Sequence, residues 1–252
     1  MATRMPSRTR ANMDAFRAAL PDGWQASVTA DALCRIGMYE HLAKGETLAN
    51  DPCHDRLIYI ARGSAKLVAQ PLATGEAACT VQVLAFHFAG DMISVLRKQD
   101  SDFRLVALTD CDLIAFATDA FLDIAQTDPA VLRWVLTRSL QALHRSRTRM
   151  MQLGHKSARQ RIADFLVSMA ERASDNTTNQ TDGACRLVLP MSRRDIGDSL
   201  GLTIETVSRQ FTELREAGLI ATRGRSLVQL LDLPALAQAA GQTRPVQAAP
   251  NI

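Results

Sequence analysis

The chain has 252 residues, which suffice for one large domain or two modest ones, and 47% of them are hydrophobic, enough to bury a core. The formal net charge is only +3, so total charge gives no evidence for nucleic-acid binding, and the placement of the basic residues has to decide. No signal-like N-terminal segment and no apolar run near the ~18 residues of a membrane span is present, so we expect a soluble cytoplasmic protein without membrane contact.

The cysteines do not form a recognisable framework. Their number is odd, their spacing is wide and no CxxC motif occurs, so a disulfide scaffold is not expected and a reducing compartment is the simpler interpretation. The five residues are Cys34, Cys53, Cys79, Cys111 and Cys185.

Residues 1–27 are polar and weakly patterned, which predicts a flexible N-terminal segment, with a short helix at 11–20 as the alternative. From about Leu42 to Ala117, short apolar runs alternate with turn residues, which is typical of a small β-barrel or sandwich. We assign this sensor-like β domain to residues 28–126. The expected strands include 57–61, 65–69, 80–86, 103–108 and 113–117.

Residues 127–154 predict one long amphipathic helix, opened by Asp128-Pro129 and carrying apolar residues at three- and four-residue spacing. The helix either packs on its own domain or forms a seam against a second copy in a parallel homodimer; we favour the seam. Its predicted interface residues are Val131, Val135, Leu136, Leu140, Leu143 and Met150.

A basic run follows the middle of this helix and continues past its end. It either approaches DNA phosphates or forms a solvated helix face, and the sequence leaves both interpretations open. The run comprises Arg145, Arg147, Arg149, Lys156, Arg159 and Arg161.

Residues 155–238 predict a helix-turn-helix domain with a wing, followed by a flexible tail at 239–252. Ser192 with Asp195 is an N-capping pattern, so one helix begins there. Gly201 suits the left-handed position just past its end, and Thr203 then caps a second helix that Gly218 closes. Two short helices joined by such a turn are the helix-turn-helix arrangement.

Polar side chains lie on the outer face of the second helix, in the half that enters the major groove in such motifs. These outward side chains are Glu205, Thr206, Ser208, Arg209 and Thr212. Because Arg can pair with guanine and Glu can accept from cytosine, Arg209 and Glu205 are candidate base contacts. Hydroxyls and the basic turn Arg223-Gly224-Arg225 are expected to hold the DNA backbone. These predicted backbone contacts are Ser192, Thr203, Thr206, Thr212, Arg223 and Arg225.

Other classes of protein have less support. The sequence contains no G-x-G-x-x-G, Walker-type loop, HExxH or nucleophile elbow, so no catalytic residues are predicted and an enzyme with an accessory DNA-binding domain is disfavoured. A cyclic-nucleotide-binding module without DNA function is a further alternative.

The motifs resemble those of the CRP/FNR superfamily of transcription regulators, most closely its FNR/FixK branch. The matching segments are FHFAGDMIS (86–94), MSRRDIGDSLGLTIETVSRQFTELREAGLI (191–220) and DLPALAQAAGQTR (232–244). The resemblance implies an α+β architecture: a cyclic-nucleotide-binding-type β-roll, a long dimerisation helix and a C-terminal winged helix-turn-helix. The Glu-x-x-Ser-Arg pattern at Glu205, Ser208 and Arg209 resembles the branch's recognition-helix signature, so the resemblance implies that these three residues contact the bases. It also implies a homodimer on double-stranded DNA with TTGA-type palindromic operators, contact with RNA polymerase, and activation in oxygen- or redox-linked gene control.

The resemblance raises three effectors, and the residues fit none of them well. The family's cyclic-nucleotide cassette is altered, with Asp91 in place of its Glu and Leu105 in place of the hydroxyl residue after Arg. No cysteine precedes Cys34, so a thiolate iron–sulfur site is not expected. No motif selects one histidine as a haem ligand. We therefore predict no cofactor and no metal, with a cyclic-nucleotide- or haem-responsive regulator as the alternative.

Overall fold

The computed structural model describes residues 7–21, 24, 27–49, 51, 54–71, 82–95, 101–176 and 185–242. The chain divides into two compact units, one ending at Arg145 and the other beginning at Ser146. Among the described residues, no helix combines the length and the apolar character needed to cross a membrane.

The first unit combines short helices with antiparallel strands. Its helices are α1 (Ser7–Ala19), α2 (Val28–Ile36), α3 (Thr118–Ala125) and the first part of α4 (Pro129–His155). Its strands are β1 (Met38–Leu42), β2 (Arg56–Arg62), β3 (Ser64–Pro71), β4 (Gln82–Phe88), β5 (Met92–Val95), β6 (Ser101–Ala107) and β7 (Cys111–Ala117).

The strands form two antiparallel sheets, of order β1-β7-β2-β5 and β4-β3-β6. Gly63 joins β2 to β3 in a left-handed conformation, at φ 93°. A Cβ atom at this position would lie 2.3 Å from the Asp110 carbonyl oxygen, so the turn requires glycine. The prediction of a β-rich domain is confirmed, and β2, β3, β4, β6 and β7 lie where their apolar runs predict them. The helix α2 and the strands β1 and β5 were not predicted.

Two apolar clusters of described residues contribute to the core of this unit. One consists mainly of strand residues of the sheets, among them Ile58, Ile60, Leu105 and Leu113. The other lies where α1, α2, α3 and the first turns of α4 meet the sheet. Its largest fully buried side chains are Phe16, Phe116 and Phe121.

The prediction of a flexible segment over residues 1–27 is wrong for Ser7 to Leu20, where the short-helix alternative applies. The Phe16 side chain is fully buried, with its ring centre 5.3 Å from that of Tyr59 and 5.0 Å from that of Phe116. The Tyr59 hydroxyl donates to the Ala15 carbonyl oxygen at 3.1 Å. The few apolar residues of this segment suffice to stabilise a helix because the neighbouring sheet and helices supply the rest of the core.

The long helix α4 matches the prediction closely, but two of its predicted interface residues, Val131 and Val135, pack against the core of its own domain. Val131 is fully buried in the cluster with Phe121, so its predicted place at a dimer interface is wrong: its own domain covers it. Farther along, the apolar side chains are exposed, with Leu136 at 57% and Met150 at 70%. Packing on its own domain therefore applies only to the first turns of α4.

In its described residues, the second unit contains four further helices around a small sheet, with α5 packed against α7 and α8. Its helices after α4 are α5 (Ala158–Asn176), α6 (Arg193–Leu200), α7 (Ile204–Glu216) and α8 (Leu233–Ala239). Its strands are β8 (Cys185–Val188), β9 (Ile220–Arg223) and β10 (Leu227–Leu230), in the antiparallel order β8-β10-β9. The core includes Ile162, Leu166, Ile196, Val207, Leu214 and Val228.

The predicted flexible tail is wrong for its first residues. Ala240 is fully buried, and the Gln242 side-chain amide donates to the Asp164 carboxylate at 3.0 Å. The rest of that tail, residues 243–252, lies outside the described residues.

Candidate nucleic-acid interface

The first helix of the predicted motif, α6, begins at a complete capping box. The Ser192 hydroxyl accepts from the Asp195 backbone N–H at 3.1 Å, and the Asp195 carboxylate accepts from the Ser192 backbone N–H at 2.8 Å. The same carboxylate also accepts from the Ser192 hydroxyl at 2.6 Å. The capping prediction is confirmed, and it satisfies donors that the first turn of a helix otherwise leaves without partners.

Replacing Ser192 by Ala removes the hydroxyl half of this box. We expect Ser192→Ala to lower the free energy of unfolding of the full chain by about 1 kcal/mol, while Ser192→Thr retains most of it. Urea unfolding followed by circular dichroism measures the change. Ser226→Ala, at an exposed hydroxyl in the β9–β10 turn, is the control; equal stability of Ser192→Ala and Ser226→Ala would show that the cap contributes nothing.

The turn between α6 and α7 is compact. Gly201 ends α6 in the left-handed conformation, at φ 64°, and Leu202 donates its backbone N–H to the Gly197 carbonyl oxygen at 3.0 Å. A Cβ on Gly197 would lie 2.6 Å from the Leu202 carbonyl oxygen, so this position requires glycine. The two helices therefore approach each other closely, and the direction of α7 depends on this turn.

The second helix, α7, has the two faces that its sequence predicts. The Thr203 hydroxyl caps it by accepting from the Thr206 backbone N–H at 3.2 Å. Val207, Phe211 and Leu214 are buried. Glu205, Ser208 and Arg209 are exposed, and Thr206 and Thr212 are half-buried beside them.

The exposed side chains of α7 differ in the hydrogen bonds and ion pairs that they already form. Hydrogen bonds from its own backbone N–H and from the Thr203 hydroxyl hold the pKa of the Glu205 carboxyl below its ordinary value, with the Arg194 charge adding to the effect. Glu205 is therefore an anionic acceptor at neutral pH. The Ser208 hydroxyl donates to the Ile204 carbonyl oxygen at 2.8 Å, and Arg209 lies 3.8 Å from the Glu213 carboxylate.

A contact that the sequence analysis missed joins α6 to α7. The Arg193 guanidinium stacks 3.1 Å from the centre of the Phe211 ring. Burial lowers the pKa of Arg193 to about 10, so it remains a cation at neutral pH. Its Nη1 is buried and has no hydrogen-bond partner among the described residues. Adjacent Arg193 and Arg194 resemble a solvated basic pair in sequence, and only the facing aromatic residue distinguishes them.

The predicted wing is the turn between β9 and β10. The two strands pair antiparallel, with Arg223 opposite Leu227. Gly224 occupies the turn at φ 65°, and Arg223 and Arg225 are both exposed beside it. The wing and the outer face of α7 together present exposed guanidinium groups and polar side chains within the second unit.

The residues at the altered nucleotide cassette are used by the β domain itself. The Asp91 carboxylate accepts from the Phe88 backbone N–H at 3.0 Å and lies 3.5 Å from His87 Nδ1. Leu105 is buried in the sheet cluster. These side chains therefore stabilise a turn and a core. The prediction that the chain uses no cofactor remains a prediction.

Among the described residues, no three His, Cys, Asp or Glu side chains form a group that could hold a metal ion. Burial raises the pKa of the Cys34 and Cys111 thiols, which disfavours the thiolate that binds metal or reacts. Cys53 and Cys79 lie outside the described residues.

The sequence of the chain is similar to those of known proteins. The family described as the Crp-like helix-turn-helix domain matches residues 160–239. The transcriptional activator protein FnrL of Cereibacter sphaeroides is 32% identical over 160 residues, and the chain spans only 64% of its length. The nitrogen fixation regulation protein FixK of Bradyrhizobium diazoefficiens is 32% identical over 207 residues, which cover 81% of this chain and 84% of that protein.

A solved structure agrees with these sequence matches. The structure of FixK2 from Bradyrhizobium japonicum superimposes with a TM-score of 0.67 at 26% identity, and the match covers 85% of this chain and 100% of that one. The predicted α+β architecture is confirmed.

Proposed function

Because the chain belongs to the CRP/FNR superfamily, in its FNR/FixK branch, we propose that it is a sequence-specific DNA-binding transcription regulator and not an enzyme. The observation that carries this proposal is the outer face of α7: a capped, polar helix start on a compact turn. Such a face suits insertion into the major groove of double-stranded DNA.

The base contacts that we propose are Glu205, Ser208 and Arg209. Glu205 is ionised and accepts from a cytosine amine, while Arg209 is 69% exposed and reaches the O6 and N7 atoms of guanine. The donor hydrogen of Ser208 is engaged on α7, so its oxygen contributes to DNA as an acceptor. TTGA-type half-sites contain the guanine and, on the opposite strand, the cytosine that these groups require.

The DNA backbone contacts that we propose surround this face. Arg223 and Arg225 of the wing neutralise phosphates, and Thr203, Thr206 and Thr212 hold the backbone beside α7. Ser192 is the weakest of the predicted contacts, because its hydroxyl already donates to and accepts from Asp195. Its main contribution is to fix the start of α6.

A homodimer is proposed from the exposed apolar face of α4. Leu136, Leu140, Leu143 and Met150 are exposed in the single chain, and soluble proteins rarely leave such a stripe uncovered. Val135 is half-buried at its edge. A parallel seam against a second copy would cover the stripe and set two half-sites about 10 bp apart.

The regulatory outcome is proposed from the branch. FnrL is named a transcriptional activator and FixK a regulation protein of nitrogen fixation, which favours activation through RNA polymerase in oxygen- or redox-linked gene control. The compartment that suits this role is the cytoplasm.

Titration of the full chain on a TTGA palindrome and on a scrambled duplex of equal length tests this proposal. In a gel-shift assay at fixed salt, we expect binding to the palindrome to be at least ~10³-fold tighter. We expect one shifted complex, which contains two copies of the chain per duplex. Equal affinity for the two duplexes would overturn the proposed function.

A further inference from the structure

At the junction between α4 and α5, one residue is held through both its side chain and its backbone carbonyl group. Lys156 directly follows α4, and its ammonium group lies 2.9 Å from the buried Asp164 carboxylate on α5. The Asp164 carboxylate also accepts from Gln242. The buried carboxylate holds the Lys156 side chain in one place, since breaking the ion pair would remove an ammonium group from a buried negative charge.

A single guanidinium bonds to this junction and to the helix-turn-helix. Arg161 Nε donates to the Lys156 carbonyl oxygen at 2.9 Å, and Arg161 Nη1 donates to the Leu200 carbonyl oxygen at 3.0 Å. Leu200 is the last residue of α6 and directly precedes Gly201, which makes the turn. A cation at this point satisfies an end carbonyl and complements the negative end of the helix dipole.

We propose that Arg161 is a positioning residue for DNA recognition: it ties the α4–α5 junction to the turn that sets the direction of α7. The inference rests on the proposed function, since the direction of α7 matters only if α7 reads DNA. The planar guanidinium group of Arg161 suits this role, because its separate N–H groups reach two carbonyl oxygens from one rigid side chain. Arg161 thus makes the orientation of the recognition helix depend on the junction.

This role differs from the phosphate contact that the basic run left open for Arg161. A phosphate contact adds affinity for every sequence and adds about 1 to the slope of log K against log salt. A positioning contact sets how well Glu205 and Arg209 meet their bases. Its loss lowers discrimination between sequences while leaving non-specific binding and the salt slope unchanged.

Arg161→Gln, Arg161→Lys and the control Arg159→Gln, each in the full chain, separate these roles. Arg159 is exposed on the same helix, so its variant removes the same charge without the two carbonyl contacts. We expect Arg161→Gln to lower the affinity ratio of palindrome to scrambled duplex about tenfold, at an unchanged salt slope. Arg161→Lys should restore part of that ratio, since an ammonium reaches one of the carbonyls. Arg159→Gln should leave the ratio unchanged.

Hydrogen exchange of the same variants without DNA provides a readout that global destabilisation does not imitate. We expect faster exchange at the Gly201 and Leu202 amides in Arg161→Gln, with a much smaller change of exchange in β8–β10. This measurement is independent of the proposed function: it would still show the tie if the wild type failed to prefer the palindrome.

Two results would overturn the inference. Equal loss of affinity for both duplexes, together with a salt slope reduced by about 1, would make Arg161 a phosphate contact. Unchanged discrimination and unchanged exchange at the turn in Arg161→Gln would show that its hydrogen bonds position nothing.

Discussion

Leu136→Lys is expected to convert the protein into a monomer and to abolish tight binding to the palindrome. Leu136 is 57% exposed in the single chain and lies at the N-terminal end of the exposed apolar stripe on α4. In a parallel dimer the substitution brings two ammonium groups together in an apolar seam, where each is costly to desolvate and has no partner. We expect the dimer dissociation constant to rise at least ~100-fold, a change of about 2.7 kcal/mol or more.

DNA affinity should fall together with the dimer. A dimer holds two half-sites at once, and the second contact gains from high effective concentration once the first has formed. Analytical ultracentrifugation and gel-shift titration of the same samples measure both quantities. Leu143→Lys should act alike, whereas Gln141→Lys, exposed on another side of α4, should affect neither. A stable dimer in both leucine variants would place the interface elsewhere.

Arg209→Ala is expected to remove the preference for guanine at one position of each half-site. The Arg209 side chain is exposed near the start of α7, and its weak contact with Glu213 at 3.8 Å leaves it available to DNA. Loss of a guanidinium bonded to guanine costs about 1–3 kcal/mol per site and relaxes the specificity at that base pair alone.

Competition titrations against duplexes changed at each half-site position measure this effect. Arg215→Ala is the matched control, because it removes an exposed guanidinium from the last turn of the same helix. Should Arg209→Ala weaken binding to all duplexes by one common factor, Arg209 would contact the backbone instead of a base.

Local signals predicted the recognition motif well. Ser192, Gly201, Thr203 and Gly218 are capping or turn residues, whose preferences act within a few residues and so can be recognised in sequence. The structure has a cap at Ser192 and at Thr203 and left-handed conformations at both glycines. Strands β2, β3, β4, β6 and β7 were predictable for the same reason, since short apolar runs between turn residues are local signals, whereas β1 and β5 were not predicted.

The features that the sequence did not reveal depend on distant partners. Phe16 is buried because sheet residues more than 40 positions away in sequence pack against it. Arg193 stacks on Phe211, and Arg161 bonds to Leu200, through contacts between different helices. A single basic residue has the same appearance in sequence whether it faces solvent, a phosphate or a carbonyl. Val131 and Leu136 likewise follow the same helical pattern in sequence, although Val131 is buried and Leu136 is exposed.

Selection of binding sites from random DNA by the 252-residue chain is the most direct test of whether the protein reads DNA as a dimer. We expect enrichment of a palindrome whose TTGA-type half-sites are centred about 10 bp apart, because two copies of α7 enter successive major grooves of one dimer site. Arg209→Ala should recover the same spacing with the guanine position relaxed. Recovery of no common motif, or of one unrepeated site without twofold symmetry, would contradict a dimeric reader of DNA sequence.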